Sequence, residues 1–157
     1  MARLDRKVAA IGVAANANAT KKTGPVPNPT GEAEQKDYWI TRNGLTFAGS
    51  HLILDLWEAE NLDDAELMEQ AMIEAVKAAG ATLLHIHLHK FSPNGGVSGV
   101  AVLSESHISV HTWPEKGFAA FDIFMCGHAE PTKAIPVLER FFNPKRMVIG
   151  DHKRGVL

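Results

Sequence analysis

Side chains that could perform nucleophilic and acid–base chemistry are concentrated around one polar segment, Ser104-Glu105-Ser106-His107, which lies between two hydrophobic, strand-like runs. If these polar groups were buried without partners, each would cost about 1–3 kcal/mol. His111 follows Ser106 by five residues and Ser98 precedes it by eight. Cys126, the only cysteine, ends the next apolar run. A hydroxyl, an imidazole and a thiol that converge from neighbouring strands would supply a nucleophile and a proton donor.

Each of these residues also has an ordinary structural interpretation. Serine and glutamate are common in turns, so Ser104–His107 could be a plain β-turn. Cys126 could be a small buried hydrophobic residue, and Glu115 could be another turn residue. The chemical interpretation therefore depends on the combination of residues and their spacing.

That combination resembles a known family. Between Leu103 and Glu115 the chain contains Glu-Ser-His followed by His-Thr-Trp-Pro-Glu, and the segment from Phe118 to Gly127 ends in Met-Cys-Gly. These segments resemble the bacterial and archaeal S-adenosylmethionine decarboxylases, which are pyruvoyl-dependent enzymes of polyamine synthesis. The resemblance extends from about Gly49 to Gly155.

The resemblance implies that the chain makes its own cofactor. Decarboxylation of an amino acid leaves a carbanion that no unmodified side chain can delocalise, so an electron sink such as a ketone is required. By analogy with the family, Ser106 would attack the carbonyl group of Glu105, and an N-to-O acyl shift would give an ester. Elimination and hydrolysis would then leave a pyruvoyl group at residue 106. The expected products are residues 1–105 and a chain that starts at the modified residue 106.

The same resemblance implies roles for five other residues. His111 would remove the α-proton of the serine during elimination, and Ser98 would hydrogen-bond to the acyl-shift intermediate. Cys126 would protonate the α-carbon of the substrate. Glu115 would bind the ribose hydroxyls of S-adenosylmethionine, and Phe91 would stack on its adenine. The decarboxylated product would be the aminopropyl donor for spermidine synthesis.

The identity of the substrate remains open at this point, because relatives with the same processing motif decarboxylate arginine or ornithine. An arginine or ornithine site needs carboxylates at the far end of the pocket, since an unpaired buried cation is unfavourable. Asp55, Glu58 and Glu60 are the candidates for such a pair. An adenosyl sulfonium substrate instead favours Glu115 with an aromatic neighbour.

A histidine-rich strand supports an alternative from another class. His85, His87 and His89 alternate within an apolar run, so their side chains share one strand face. Histidines spaced in this way can bind zinc or iron, which would suit a metal-dependent enzyme. The family resemblance implies no metal and favours a solvated or subunit-facing sheet surface.

The remaining pattern predicts an α+β fold. A strand from Thr46 to Trp57 is followed by a helix that begins near Asp63 and ends at Gly80. Four further strands, a second helix over Pro131–Phe142 and a last strand over Arg146–His152 follow. We expect an antiparallel sheet with both helices on one face. The resemblance implies that two protomers pair into a layered sandwich, as a homodimer.

Composition excludes several partners and predicts an unusual N-terminus. The 157 residues carry a net charge of −2, so no basic face for nucleic acid is expected. No apolar run reaches the ~18 residues of a membrane span, and a single cysteine is typical of a protein of the reducing cytoplasm. Residues 1–40 are predicted to be a disordered extension, and residues 41–157 the folded domain.

Overall fold

The computed structural model describes residues 38–157. The disordered extension that the sequence predicts over residues 1–40 therefore lies, up to residue 37, outside the described residues. The first described strand begins at Ile40.

The described residues form eight strands and two helices. The strands are β1 (Ile40–Arg42), β2 (Leu45–Phe47), β3 (Gly49–Trp57), β4 (Leu83–Lys90), β5 (Val97–Leu103), β6 (Ser106–Trp113), β7 (Phe118–Cys126) and β8 (Arg146–Arg154); the helices are α1 (Ala65–Ala78) and α2 (Ile135–Phe142). Short 3₁₀ turns span Pro114–Lys116 and Pro131–Ala134. None of the helices in this part of the chain is long and apolar enough to cross a membrane.

Six strands form one antiparallel sheet in the order β4-β5-β6-β7-β3-β8. One face of this sheet is buried against both helices, which confirms the predicted α+β class. The Leu-x-Leu-x-Leu pattern of β3 predicts that Leu52, Leu54 and Leu56 share one face of the strand, and all three contribute to this core. The methionine and alanine stripe of α1 packs against them.

Each helix begins at a residue that suits a helix N-terminus. Asp64 caps α1, because its carboxylate accepts a hydrogen bond from the backbone N–H of Leu67 at 3.0 Å. Pro136 lies in the first turn of α2, where the missing N–H costs nothing.

The opposite face of the sheet is covered by no other described element, and we call it the open face. It carries exposed apolar side chains that include Ile53, Val102, Trp113 and Val148, each 41–46% exposed. Such a set of large apolar residues on one surface is typical of a protein–protein contact.

A small hairpin formed by β1 and β2 was not predicted. The sequence analysis began a single strand at Thr46, whereas in the structure β2 ends at Phe47 and β3 begins at Gly49. Asn43 and Gly44 make the connecting turn with positive φ values of 52° and 78°. Two successive left-handed residues of this kind form the tight turn that suits a two-residue hairpin.

Thr112 joins two loops to the sheet and provides a test of the fold. Its buried hydroxyl accepts a hydrogen bond from the N–H of Val97 at 2.7 Å and donates one to the carbonyl of Leu62 at 2.8 Å. Thr112→Val keeps the shape but leaves both backbone groups unpaired, so we expect the free energy of unfolding to fall by about 2–4 kcal/mol. Urea unfolding measures this change. Thr132→Val, at an exposed position, is the control and should change stability by less than about 0.5 kcal/mol; equal losses in both variants would contradict the assigned role of Thr112.

Candidate active site

The β5–β6 hairpin positions the Glu105–Ser106 peptide bond in a strained turn. Leu103 pairs with Ser106, so only Ser104 and Glu105 connect the two strands. Glu105 adopts a φ of 63°, in the left-handed region that non-glycine residues rarely occupy. Residues held in this region store about 1–3 kcal/mol, and the strain lies next to the bond that the sequence analysis expects to be cleaved.

Cys126 lies directly beside Ser106. The backbone N–H of Cys126 donates a hydrogen bond to the Ser106 hydroxyl oxygen at 3.2 Å. Burial raises the pKa of the Cys126 thiol, and the nearby carboxylate of Glu105 raises it further. Both effects keep the thiol protonated at neutral pH. Glu105, Ser106 and Cys126 together form what we call the Ser106 cluster.

A second cluster lies on the open face near the other end of β6. Ser98 on β5 and His111 on β6 are cross-strand partners, and the Ser98 hydroxyl and His111 Nδ1 are 2.8 Å apart. Both line a cavity of about 210 Å³ together with Phe91, Trp113 and Glu115. We call Phe91, Ser98, His111 and Glu115 the His111 cluster.

One chain does not bring the two clusters together. Ser106 and His111 are five residues apart on the same strand, and a strand rises about 3.3 Å per residue, which separates their Cα atoms by about 17 Å. The two side chains also belong to opposite faces of the sheet. Ser106 is on the same face as buried Ile108, whereas His111 is on the open face. The sequence-predicted residues therefore form two half-sites within a protomer.

Polar residues that the sequence analysis missed lie on the open face between these half-sites. His51 Nε2 is 3.4 Å from a carboxylate oxygen of Asp122, without the alignment of a hydrogen bond, and the Ser109 hydroxyl donates to the other oxygen at 3.4 Å. His107 stacks on Phe124, with ring centroids 5.7 Å apart. Burial lowers the pKa of His107, and the proximity of His51 adds to this effect. The alternation of side chains in β3, β6 and β7 is the signal that could have identified these residues.

The three histidines of β4 lie on the open face along the edge of the sheet. They face Val102, Val100 and Ser98 of β5, and His89 makes an edge contact with Phe91, with ring centroids 4.6 Å apart. Among residues 38–157 there is no group of three histidine, cysteine, aspartate or glutamate side chains that could hold a metal ion.

Two of the three carboxylates considered for an arginine or ornithine site already have partners elsewhere. Glu58 is 3.4 Å from the ammonium of Lys145, and Glu60 accepts a hydrogen bond from the Asn143 amide at 3.2 Å. Asp55 is separate from them and lies on the open face, in the same cross-strand row as His111.

Comparison with known proteins identifies what this arrangement is similar to. Residues 50–155 match the family model for S-adenosylmethionine decarboxylase. The S-adenosylmethionine decarboxylase proenzyme of Methanococcus maripaludis (strain C7) is 54% identical over 112 residues, covering 69% of this chain and 91% of the relative. The corresponding proenzyme of Thermomicrobium roseum is 47% identical over 110 residues, covering 69% and 95%. The crystal structure of the adenosylmethionine decarboxylase from Aquifex aeolicus matches with a TM-score of 0.63 at 35% identity, over 71% of this chain and 93% of that one.

Proposed function

The chain belongs to the S-adenosylmethionine decarboxylase family, and we propose that it decarboxylates S-adenosyl-L-methionine with a pyruvoyl group made from its own Ser106. The observation that carries this proposal is the Ser106 cluster: a hydroxyl next to a strained peptide bond and a protonated thiol. The relatives' description as proenzymes supports processing of the chain before activity.

Self-cleavage begins at the left-handed turn. The Ser106 oxygen attacks the carbonyl carbon of Glu105, and the amide bond is exchanged for an ester. Removal of the α-proton of residue 106 then expels the main-chain carboxylate of residue 105 and leaves dehydroalanine. Its imine tautomer adds water and loses ammonia, which leaves a ketone. The strain at Glu105 favours cleavage, because breaking the peptide bond allows Glu105 to leave its left-handed conformation.

Residue 106 can change its orientation once the bond is cut. In the uncleaved hairpin its side chain is on the core face of the sheet. Cleavage makes residue 106 a chain terminus and removes the turn that fixed its register. The pyruvoyl ketone supplies the electron sink for decarboxylation when the substrate is bound.

Cys126 is suited to be the proton donor. A donor must be protonated at neutral pH, and burial together with the Glu105 carboxylate holds the pKa of this thiol above its usual value. The hydrogen bond from its backbone N–H to the Ser106 hydroxyl supports this role, because it makes Cys126 a direct neighbour of residue 106.

The His111 cluster supplies the substrate contacts and the processing base. Ser98, which is 2.8 Å from His111 Nδ1, orients the imidazole, leaving its other nitrogen to remove the α-proton. Glu115 and Phe91 line the same cavity and provide a carboxylate for the ribose hydroxyls and an aromatic face for adenine. Trp113 adds a second aromatic face.

We infer that the active protein is a homodimer in which each site combines half-sites from two protomers. A separation of about 17 Å along one strand prevents His111 from acting on Ser106 of its own chain. In a twofold dimer that packs open face against open face, each His111 cluster can meet the partner's Ser106 cluster, and the same contact occurs twice. Burial of Ile53, Val102 and Trp113 would stabilise this contact.

The first prediction tests self-cleavage. We expect the wild-type chain to yield fragments 1–105 and 106–157, the second with a ketone in place of its amino terminus, because Ser106 supplies the nucleophile. Ser106→Ala should remain one chain. Intact mass spectrometry detects both the cleavage and the ketone. A wild-type chain that stays whole and still decarboxylates S-adenosylmethionine would contradict the proposal.

The second prediction tests whether His111 acts across the dimer. Ser106→Ala and His111→Ala should each stay uncleaved alone, and hydroxylamine should cut the His111→Ala chain at the accumulated ester. When the two variants are co-expressed, His111 of one chain can serve Ser106 of the other. We expect about half of the His111→Ala chains to be cleaved, the fraction given by random pairing.

Its control replaces the Ser106→Ala partner with the double variant Ser106→Ala/His111→Ala, which supplies no imidazole and should restore no cleavage. Intact mass spectrometry of the mixed dimers gives the cleaved fraction. If the His111→Ala chain stays whole in verified mixed dimers with Ser106→Ala, the site is not shared.

The third prediction concerns the substrate. Carbon dioxide release should show a higher kcat/KM for S-adenosylmethionine than for arginine or ornithine at equal concentrations. Glu115→Gln should lower kcat/KM for S-adenosylmethionine by about 10- to 100-fold, since it weakens charged hydrogen bonds to the ribose, and should leave self-cleavage intact.

Glu139→Gln removes a charge from the exposed surface of α2 and is the matched control. It should match the wild type. A higher kcat/KM for arginine or ornithine, with Glu115→Gln indifferent for S-adenosylmethionine, would overturn the substrate assignment and leave the self-cleavage proposal standing.

A further inference from the structure

The last histidine of β4 contacts a residue of the proposed substrate site. Phe91 follows His89 by two residues, a spacing that brings side chains to the same side of an extended chain. The two rings meet with their centroids 4.6 Å apart and an interplanar angle of 73°, which is the edge-to-face arrangement that aromatic rings prefer. The histidine stripe of β4 therefore reaches the His111 cluster through His89.

The backbone of Phe91 is fixed by the loop that connects β4 to β5. The N–H of Phe91 donates a hydrogen bond to the carbonyl of Gly96 at 2.7 Å, and the N–H of Gly95 donates one to the carbonyl of Phe91 at 2.9 Å. Gly96 lies close against β6, because a Cβ added there would be 2.8 Å from the carbonyl oxygen of Thr112. The loop thus holds the backbone of Phe91 at the wall of the cavity of about 210 Å³.

The ring of Phe91 has more freedom than its backbone. Phe91 is 50% exposed, so the hydrophobic core does not fix its rotamer. An exposed side chain exchanges between staggered rotamers unless a neighbour favours one of them. The ring of His89 is such a neighbour, because it stands edge to face with the ring of Phe91.

Strand pairing holds His89 in place. It lies opposite Ser98 of β5, and the Ser98 hydroxyl is 2.8 Å from Nδ1 of His111. The two strands approach closely at Gly99, where an added Cβ would be 2.3 Å from a backbone oxygen of β4. The register of β4, β5 and β6 therefore fixes the position of the aromatic pair relative to His111.

We propose that His89 is a positioning residue for substrate binding, whose ring holds Phe91 in the orientation that stacks on the adenine of S-adenosylmethionine. This inference rests on the proposed function, in which Phe91 provides that aromatic face. A ring that is already oriented loses less rotamer freedom when the nucleobase binds. Such an interaction is made equally in the bound substrate and in the transition state, so its loss raises KM and leaves kcat unchanged.

The experiment measures decarboxylation by the full-length, self-cleaved protein. His89→Leu keeps a side chain of similar size and removes the ring, so KM for S-adenosylmethionine should rise about threefold to tenfold, with kcat within about twofold of the wild type. His89→Phe supplies an aromatic ring again and should restore most of the lost affinity. Self-cleavage should proceed at the wild-type rate in both variants, because Ser98 and His111 are retained.

Methylthioadenosine shows which part of the substrate is affected. This nucleoside carries the adenine and ribose of S-adenosylmethionine without the amino acid portion, and it should inhibit the wild type competitively. We expect its inhibition constant to rise in His89→Leu by the same factor as KM, because both molecules stack on Phe91. In a Phe91→Leu background, His89→Leu should cause no further rise in KM, since His89 acts through Phe91.

His87→Leu is the matched control. His87 lies on the same strand and the same sheet face as His89, two residues further from Phe91, and it pairs with Val100. The same substitution at this position should leave KM and the inhibition constant at their wild-type values. An equal rise of KM in both variants would overturn the inference, because the effect would then belong to the sheet edge in general.

The remaining outcomes separate this inference from the proposed function. A wild-type protein that does not decarboxylate S-adenosylmethionine overturns both. With an active wild type, an unchanged KM in His89→Leu overturns only the role of His89. That role is also overturned if methylthioadenosine does not compete, if its inhibition constant stays constant while KM rises, or if His89→Leu still raises KM in the Phe91→Leu background.

Discussion

The antiparallel register of the β5–β6 hairpin is the constraint on which the site depends. With Leu103 opposite Ser106, two residues must turn the chain, and Glu105 takes the left-handed conformation. The same register places Ser98 opposite His111 on the open face. A slip of one residue would turn Ser98 to the helix face and expose Ala101, so the hydrophobic core and the chemistry are specified by one pairing.

The open face explains why a buried core and an incomplete site coexist in one chain. The helices cover the face that contains Leu54 and Ile108, which gives the protomer its core. The other face retains the His111 cluster, the His51–Asp122 pair and large apolar residues. In the proposed dimer, one association step removes this apolar surface from water and completes two sites, so assembly and activity are coupled.

Much of this arrangement could be predicted from local sequence. Alternation identified the inner face of β3, and Asp64 and Pro136 mark helix starts by rules that act within one turn. The β1–β2 hairpin was missed because three-residue strands show too little periodicity, although Asn43-Gly44 is a strong turn signal. The rise of β6 separates Ser106 and His111 of one chain by about 17 Å, so their predicted convergence requires a second chain, as in the proposed dimer. The hydrogen bond from the N–H of Gly127 to the carbonyl of Tyr38 joins residues 89 positions apart in the chain, and no local pattern predicts it.

In the proposed mechanism, self-cleavage and decarboxylation use the same residues at different times, and only self-cleavage requires the strained turn. Before cleavage, Glu105 must be held in an unfavourable conformation, and its carboxylate raises the pKa of Cys126. Afterwards, decarboxylation in the proposed mechanism needs the ketone at residue 106 and a protonated thiol, but no intact turn. Strain that is present only in the uncleaved chain therefore favours processing and imposes no cost on the mature site.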